Sequence, residues 1–161
     1  MAQGIQNDRF NWEDTMTQER RPPPAKTVPV KNQETSFYWD KCKEHELWVR
    51  KCNDCNKAYF YPRDFCPNCF SRNTDWIKCS GKATLHTFAV VVRPPNRAWA
   101  DDTPYVVAMV DLEEGCRMPT NLVQVEINPD NLSENISVGM SVEVVWEDRT
   151  DTISVPMFKP A

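Results

Sequence analysis

Four of the seven cysteines fall into two identical spacings, Cys52-Asn53-Asp54-Cys55 and Cys66-Pro67-Asn68-Cys69. Two residues between thiols let a tight knuckle aim both sulfurs at one ion about 2.3 Å away, and two such knuckles complete a tetrahedron. The pattern predicts one structural metal ion, Zn2+, held by Cys52, Cys55, Cys66 and Cys69. Thiolate geometry does not separate zinc from iron, so an iron electron carrier is an alternative that metal analysis and visible absorption would decide. Four protein ligands close the coordination shell and leave no position for water or substrate, which argues against Lewis-acid catalysis by this ion. The ion is instead a staple for the segment Leu47 to Trp76, about 30 residues that are too few to fold on hydrophobic burial alone. An odd cysteine count with four thiols in metal spacing points to a reducing compartment. Cys42, Cys79 and Cys116 are then small core or surface residues without special reactivity.

Other catalytic chemistry finds little material. The two histidines, His45 and His86, have no evident companion, and a nucleophile needs a base within reach. Four glycines in the whole chain leave little for a phosphate-cradling loop. Charge is polarised instead. Residues 41–82 hold 9 Lys and Arg against 5 Asp and Glu, whereas residues 101–161 hold 3 against 12, a net of −9. The acidic half disfavours a nucleic-acid backbone, whose binding depends on clustered cations. Arg63, Arg93 and Arg97 are the candidates for a compact anionic ligand, because a guanidinium pairs with phosphate in a bidentate way that Lys cannot match.

The elements that must position these residues follow from texture. Residues 1–33 are polar and proline-bearing, and read as an extended arm in which Phe10 and Trp12 could anchor on another surface or on the chain itself. A short helix begins at Thr35 or Ser36, whose hydroxyls can cap its first turn, and carries Tyr38 and Cys42 on one face. Residues 34–80 form the helix and cysteine module, with a pair of short strands and a return expected around Lys57 to Tyr61. Residues 81–161 change to β-branched and aromatic runs between turns, giving five strands near 82–93, 104–113, 116–125, 141–148 and 152–158. The stretch 127–140 between the third and fourth suits two turns around a short helical piece. The fold class is mainly β, and five short strands interrupted after the third fit a small OB-fold barrel. No run approaches the roughly 20 apolar residues of a membrane helix and Met1 to Phe10 lacks a signal-peptide core, so a soluble, cytoplasmic protein is expected.

Taken together, several motifs carry a resemblance. Phe37-Tyr38-Trp39, Leu47, the two cysteine pairs, Pro62-Arg63, Ser71, Trp76 and Gly81 resemble the rubredoxin-like zinc ribbon of the acyl-CoA-associated, OB-fold family found beside thiolases. Pro104-Tyr105-Val106-Val107-Ala108, Leu112, Glu114-Gly115, Arg117, Val138-Gly139-Met140, Val142, Pro156, Phe158 and Pro160 are similar to its barrel half. Two positions depart from the family pattern: Asn56 stands where a glycine usually follows the first pair, and Ala83 where a second glycine usually follows the ribbon. The resemblance implies a non-catalytic subunit of a heteromer with a thiolase-like catalytic subunit, or sometimes with a MaoC-type hydratase. The partner would carry the chemistry on a shared coenzyme A thioester, whose phosphates Arg63, Arg93 and Arg97 could meet. Within the family the likeness is greatest to the small subunits of benzoylsuccinyl-CoA thiolases of anaerobic toluene degradation. Because zinc ribbons and OB barrels also bind single-stranded nucleic acid, that role is the remaining alternative, together with a rubredoxin-like electron carrier.

Overall fold

The computed structural model describes residues 24–161, so Phe10 and Trp12 lie outside the described residues. The segment that follows Pro23 has no regular structure until residue 33 but lies against the body of the protein. Val28 packs on the core, and Lys26 pairs with Asp102 at 2.6 Å while its ammonium sits 4.8 Å from the centre of the Trp99 ring. The α-helix α1 spans Ser36–Lys43. The expected hydroxyl cap is not made. Thr35 Oγ1 turns back to Asn32, accepting from its backbone N–H at 3.1 Å and donating to its Oδ1 at 2.8 Å. Asn32 takes over the capping work, since its Oδ1 accepts from Thr35 N–H at 2.9 Å and its carbonyl from Ser36 N–H at 2.8 Å. Tyr38, Trp39 and Cys42 form the buried face of α1, which packs on the first and last of the strands described next.

Three strands build the ribbon: β1 (Trp48–Cys52), β2 (Ala58–Tyr59) and β3 (Thr74–Lys78), in the order β2-β1-β3 and antiparallel throughout. This differs from the expected pair of strands between the knuckles. β2 folds back on β1 across the first knuckle, and the long partner of β1 is β3, which arrives only after the second. Pro62 and Pro67 interrupt the stretch between, where missing N–H donors make further pairing unfavourable.

The five remaining strands are β4 (Lys82–Val91), β5 (Tyr105–Leu112), β6 (Arg117–Leu122), β7 (Ser141–Thr150) and β8 (Ile153–Pro160). They close a barrel in the order β4-β5-β6-β8-β7, with a parallel contact of β6 on β8 at Leu122 and Phe158. The five-stranded, OB-like barrel read from the sequence is therefore present. In β4, Ala83 and Leu85 point into the core while Lys82 and Thr84 face solvent, the period of two expected of a half-buried strand. A bulge between Leu85 and Thr87 displaces His86 and bends β4, which lets its first three residues pair with β7 while its length pairs with β5. The stretch 127–140 forms turns without the expected helical piece, and the β4–β5 connection instead contains a 3-10 helix, Arg97–Asp102, capped by the Asn96 side chain.

One core serves both halves. Tyr38, Leu47, Val49 and Cys79 from the helix and ribbon join Leu85, Val110, Met118 and Phe158 of the barrel in a single buried cluster. Cys42, Cys79 and Cys116 all belong to it, and burial pushes the Cys42 thiol up to about 12 and the Cys116 thiol up to about 11. These three are core residues without thiolate character. The junction turns at Gly81, which has φ +81° and whose carbonyl accepts from Val144 N–H at 2.8 Å. A Cβ there would stand 2.7 Å from Val144 Cγ1.

Candidate metal centre

Both knuckles are built the same way. Cys52 N–H donates to Lys57 C=O at 3.0 Å, and Cys66 N–H to Ser71 C=O at 2.8 Å. The residue after the second cysteine of each pair is left-handed, with φ 59° at Asn56 and φ 60° at Phe70. That conformation explains why a glycine suits position 56, and why asparagine, which tolerates it better than most residues, can replace it. The knuckles are cross-tied: the Asp54 carboxylate accepts from Ser71 Oγ and, at 2.9 Å, from Asn73 Nδ2. Asn53 Nδ2 donates to Asp75 Oδ2 at 2.8 Å.

The four sulfurs of Cys52, Cys55, Cys66 and Cys69 converge, all within 4.8 Å of one another. Cys52 Sγ and Cys69 Sγ are 3.5 Å apart, and Cys55 Sγ and Cys66 Sγ 3.6 Å. Ligands on a tetrahedron of about 2.3 Å radius stand roughly 3.8 Å apart, whereas a disulfide requires about 2.0 Å, so the spacing fits metal ligation and excludes bridging. The local field agrees. Burial raises the Cys66 thiol, but the backbone N–H groups of Asn68 and Cys69 aimed at its sulfur bring it down to about 6. The Ser71 N–H lowers Cys69, but burial and the three neighbouring sulfurs outweigh it and push that thiol up to about 12. Among the described residues this is the one group of three or more His, Cys, Asp or Glu placed to share an ion.

The other candidates are dispersed. Arg63 is exposed on the loop leading to the second knuckle, while Arg93 and Arg97 are exposed on the β4–β5 connection of the barrel. The reading that neither histidine has a companion needs correction. His45 Nε2 lies 3.2 Å from Asp148 Oδ1 with its ring stacked on Trp146 at 5.5 Å, and His86 Nδ1 lies 3.1 Å from Asp111 Oδ2. These partners are distant in sequence, 103 and 25 residues away, so only the barrel closure reveals them. Both carboxylates have further partners: Asp111 also takes Arg117 Nε at 2.7 Å, and Asp148 also takes Lys43 Nζ at 3.3 Å and the hydroxyl of the buried Ser154. An apolar cleft of about 600 Å³, unanticipated from the sequence, lies between α1 and the barrel, lined among others by Trp39, Phe60, Phe88, Met118 and Pro156.

Residues 39–75 match the family described as ChsH2, rubredoxin-like zinc ribbon domain, and residues 76–147 match ChsH2, C-terminal OB-fold domain. A probable enoyl-CoA hydratase alpha subunit of Thermomonospora curvata is 32% identical over 95% of this chain, which spans 46% of that protein. A DUF35 domain-containing scaffold protein of Methanocaldococcus jannaschii is 35% identical over 67% of this chain and 73% of its own length. Among solved structures, the Ltp2-ChsH2(DUF35) aldolase contains a chain with 32% identity and a TM-score of 0.68, covering 83% of this chain and 98% of that one. The chain belongs to the ChsH2 and DUF35 family of scaffold proteins, in which a rubredoxin-like zinc ribbon precedes an OB-fold.

Proposed function

We propose that this chain is the non-catalytic accessory subunit of a thiolase-type enzyme that makes or cleaves a carbon–carbon bond in an acyl-CoA thioester. The observation that carries the reading is the closed set of four converging sulfurs, which provides a structural zinc site with no ligand position to spare. Zinc bound there supplies folding free energy to the ribbon and no reaction step. The chain's own contribution is positional: the ribbon and barrel share one core and hold their outer surfaces in fixed relation. The thiolase supplies the nucleophile, and Arg63, Arg93 and Arg97 contribute contacts to the anionic phosphates of coenzyme A as the thioester spans the two subunits. The relatives support acyl-CoA chemistry in a larger assembly, since one is named a hydratase alpha subunit and another is part of an aldolase. The likeness to the benzoylsuccinyl-CoA thiolase small subunits favours a thiolase partner. A hydratase is the second reading, favoured by the relative of that name.

Co-expression with a thiolase catalytic subunit from the same organism tests the proposal. A stable heteromer is expected, with the thiolase poorly active on its own. Full thiolase activity without this chain contradicts it. Assay of the pair for hydration of an enoyl-CoA as well as for thiolysis separates the two readings, and a colourless protein with zinc by metal analysis excludes the iron carrier.

A further inference from the structure

The apolar cleft between α1 and the barrel, about 600 Å³, plays no part in the metal site. It stays open for a local reason. β6 and β8 share a single register pair, Leu122 with Phe158, and Pro119 and Pro156, one in each strand, lack the N–H that would extend the pairing. Residues 118–121 and 155–156 line the cleft where the two strands part.

Polar groups of the wall are already spent on the protein. Thr120 Oγ1 donates to Pro156 C=O at 3.2 Å, Asn121 Nδ2 to Val106 C=O at 3.2 Å, and Trp39 Nε1 to the Tyr61 hydroxyl at 3.0 Å. Sites for small ligands keep a few convergent polar groups to orient the guest. With these three committed, the cleft suits apolar rings that ask for little hydrogen bonding, such as the aromatic side chains of a peptide. A phenyl ring asks for none, and an indole at the open mouth can keep its N–H in water.

The place where the chain joins the described body points to the guest. Lys26 lies against Asp102 and Trp99 and lines, with Asn121, a smaller pocket of about 270 Å³. Asn121 also lines the cleft, so the chain reaches the body beside it. Residues 1–23 precede this point, and their aromatic residues are Phe10 and Trp12. Trp12 is 14 residues before Lys26. A segment of that length spans up to about 50 Å, against a radius of gyration of about 15 Å for a domain of this size. Residues two apart in an extended chain share a face, so Phe10 and Trp12 can enter one groove together.

We infer that residues 1–23 of this chain cover the cleft, with Phe10 and Trp12 seated against Phe88, Met109 and Met118. Tethering gives this occupant an effective concentration on the order of millimolar, an advantage that a free ligand or a second copy lacks. The segment then straps α1 to the seam between β6 and β8.

Photo-cross-linking of the full-length, zinc-loaded chain tests this. The probe is Phe10→benzoylphenylalanine, whose benzophenone inserts preferentially into methionine side chains close to it. Irradiation is expected to give a cross-link within one chain, at monomer mass, mapping to peptides that contain Met109 or Met118. Val107→Glu puts a charge in the cleft wall at a residue already 38% exposed, so the barrel still folds, and the cross-link yield is expected to drop at least fivefold. In a second measurement, Phe10→Ser with Trp12→Ser empties the cleft. Emission of the dye anilinonaphthalene sulfonate is expected to rise at least threefold, with circular dichroism unchanged. Cross-links that join two copies, that map elsewhere in the chain, or that form only to an added catalytic subunit overturn the inference. So does dye emission unchanged by the double variant together with a yield unchanged by Val107→Glu. Each of these results leaves the accessory role standing.

Discussion

At the residue scale the protein separates its seven cysteines into two chemical classes. Cys52, Cys55, Cys66 and Cys69 converge at a partly accessible site, where backbone N–H groups favour ionisation of Cys66. Cys42, Cys79 and Cys116 are buried in the core, and burial raises each of them. Zinc removal by a strong chelator should therefore expose Cys52, Cys55, Cys66 and Cys69 to alkylation first, with Cys116 reacting only when the barrel unfolds. Peptide mapping of the alkylated protein checks the order, and early labelling of Cys116 would contradict it. The two left-handed knuckle positions allow a second prediction. Asn56→Gly should be neutral or stabilising by up to about 1 kcal/mol in denaturant unfolding, because glycine adopts this backbone without a Cβ penalty, whereas Asn56→Val should destabilise by at least that amount.

At the scale of elements, two of the contacts that join the ribbon side to the barrel can be tested singly. Gly81 allows the close approach of Val144, so Gly81→Ala should cost about 2–3 kcal/mol, combining a left-handed backbone with a clash into a packed strand. Calorimetric or denaturant midpoints would show it, and a variant as stable as the parent would mean that the junction is not packed as described. Asp148 ties the end of α1 to the β7–β8 hairpin through Ser154, His45 and Lys43, and these contacts hold its carboxyl down to about 2. A carboxyl lowered below its unfolded value, about 3.9, stabilises the fold above that pH, and the contribution fades as pH falls towards the folded value. Asp148→Asn should therefore be less stable than the parent at pH 7, with the two converging between about pH 4 and pH 2. Parallel unfolding curves across that range would contradict the latch.

The elements differ in how far their sequences reveal them. The barrel strands were legible because they are β-branched and aromatic runs bounded by turn residues, with a period of two in the first half of β4 and along β5. The metal ligands were legible because both pairs are local. The β2-β1-β3 order and the carboxylate partners of His45 and His86 were not, since those contacts join residues that only the tertiary fold brings together. The Asn32 cap was missed because an asparagine three positions upstream can outcompete the nearer hydroxyl, a choice decided by turn geometry rather than by composition.

For the whole molecule, ribbon and barrel act as one body because their buried residues form a single cluster. Loss of the ion should therefore reach beyond the knuckles. Cys66→Ser is expected to abolish stoichiometric zinc binding and to lower the thermal midpoint of the entire domain rather than produce a separate ribbon transition; two well-resolved transitions would show that the halves are independent. The central claim, a zinc-stapled scaffold that serves a catalytic subunit, is tested most directly by native mass spectrometry of this chain co-expressed with a thiolase-type acyl-CoA enzyme of the same organism. The account predicts a heteromer containing one zinc per copy of this chain. Separate subunits, or a folded chain without metal, would contradict it.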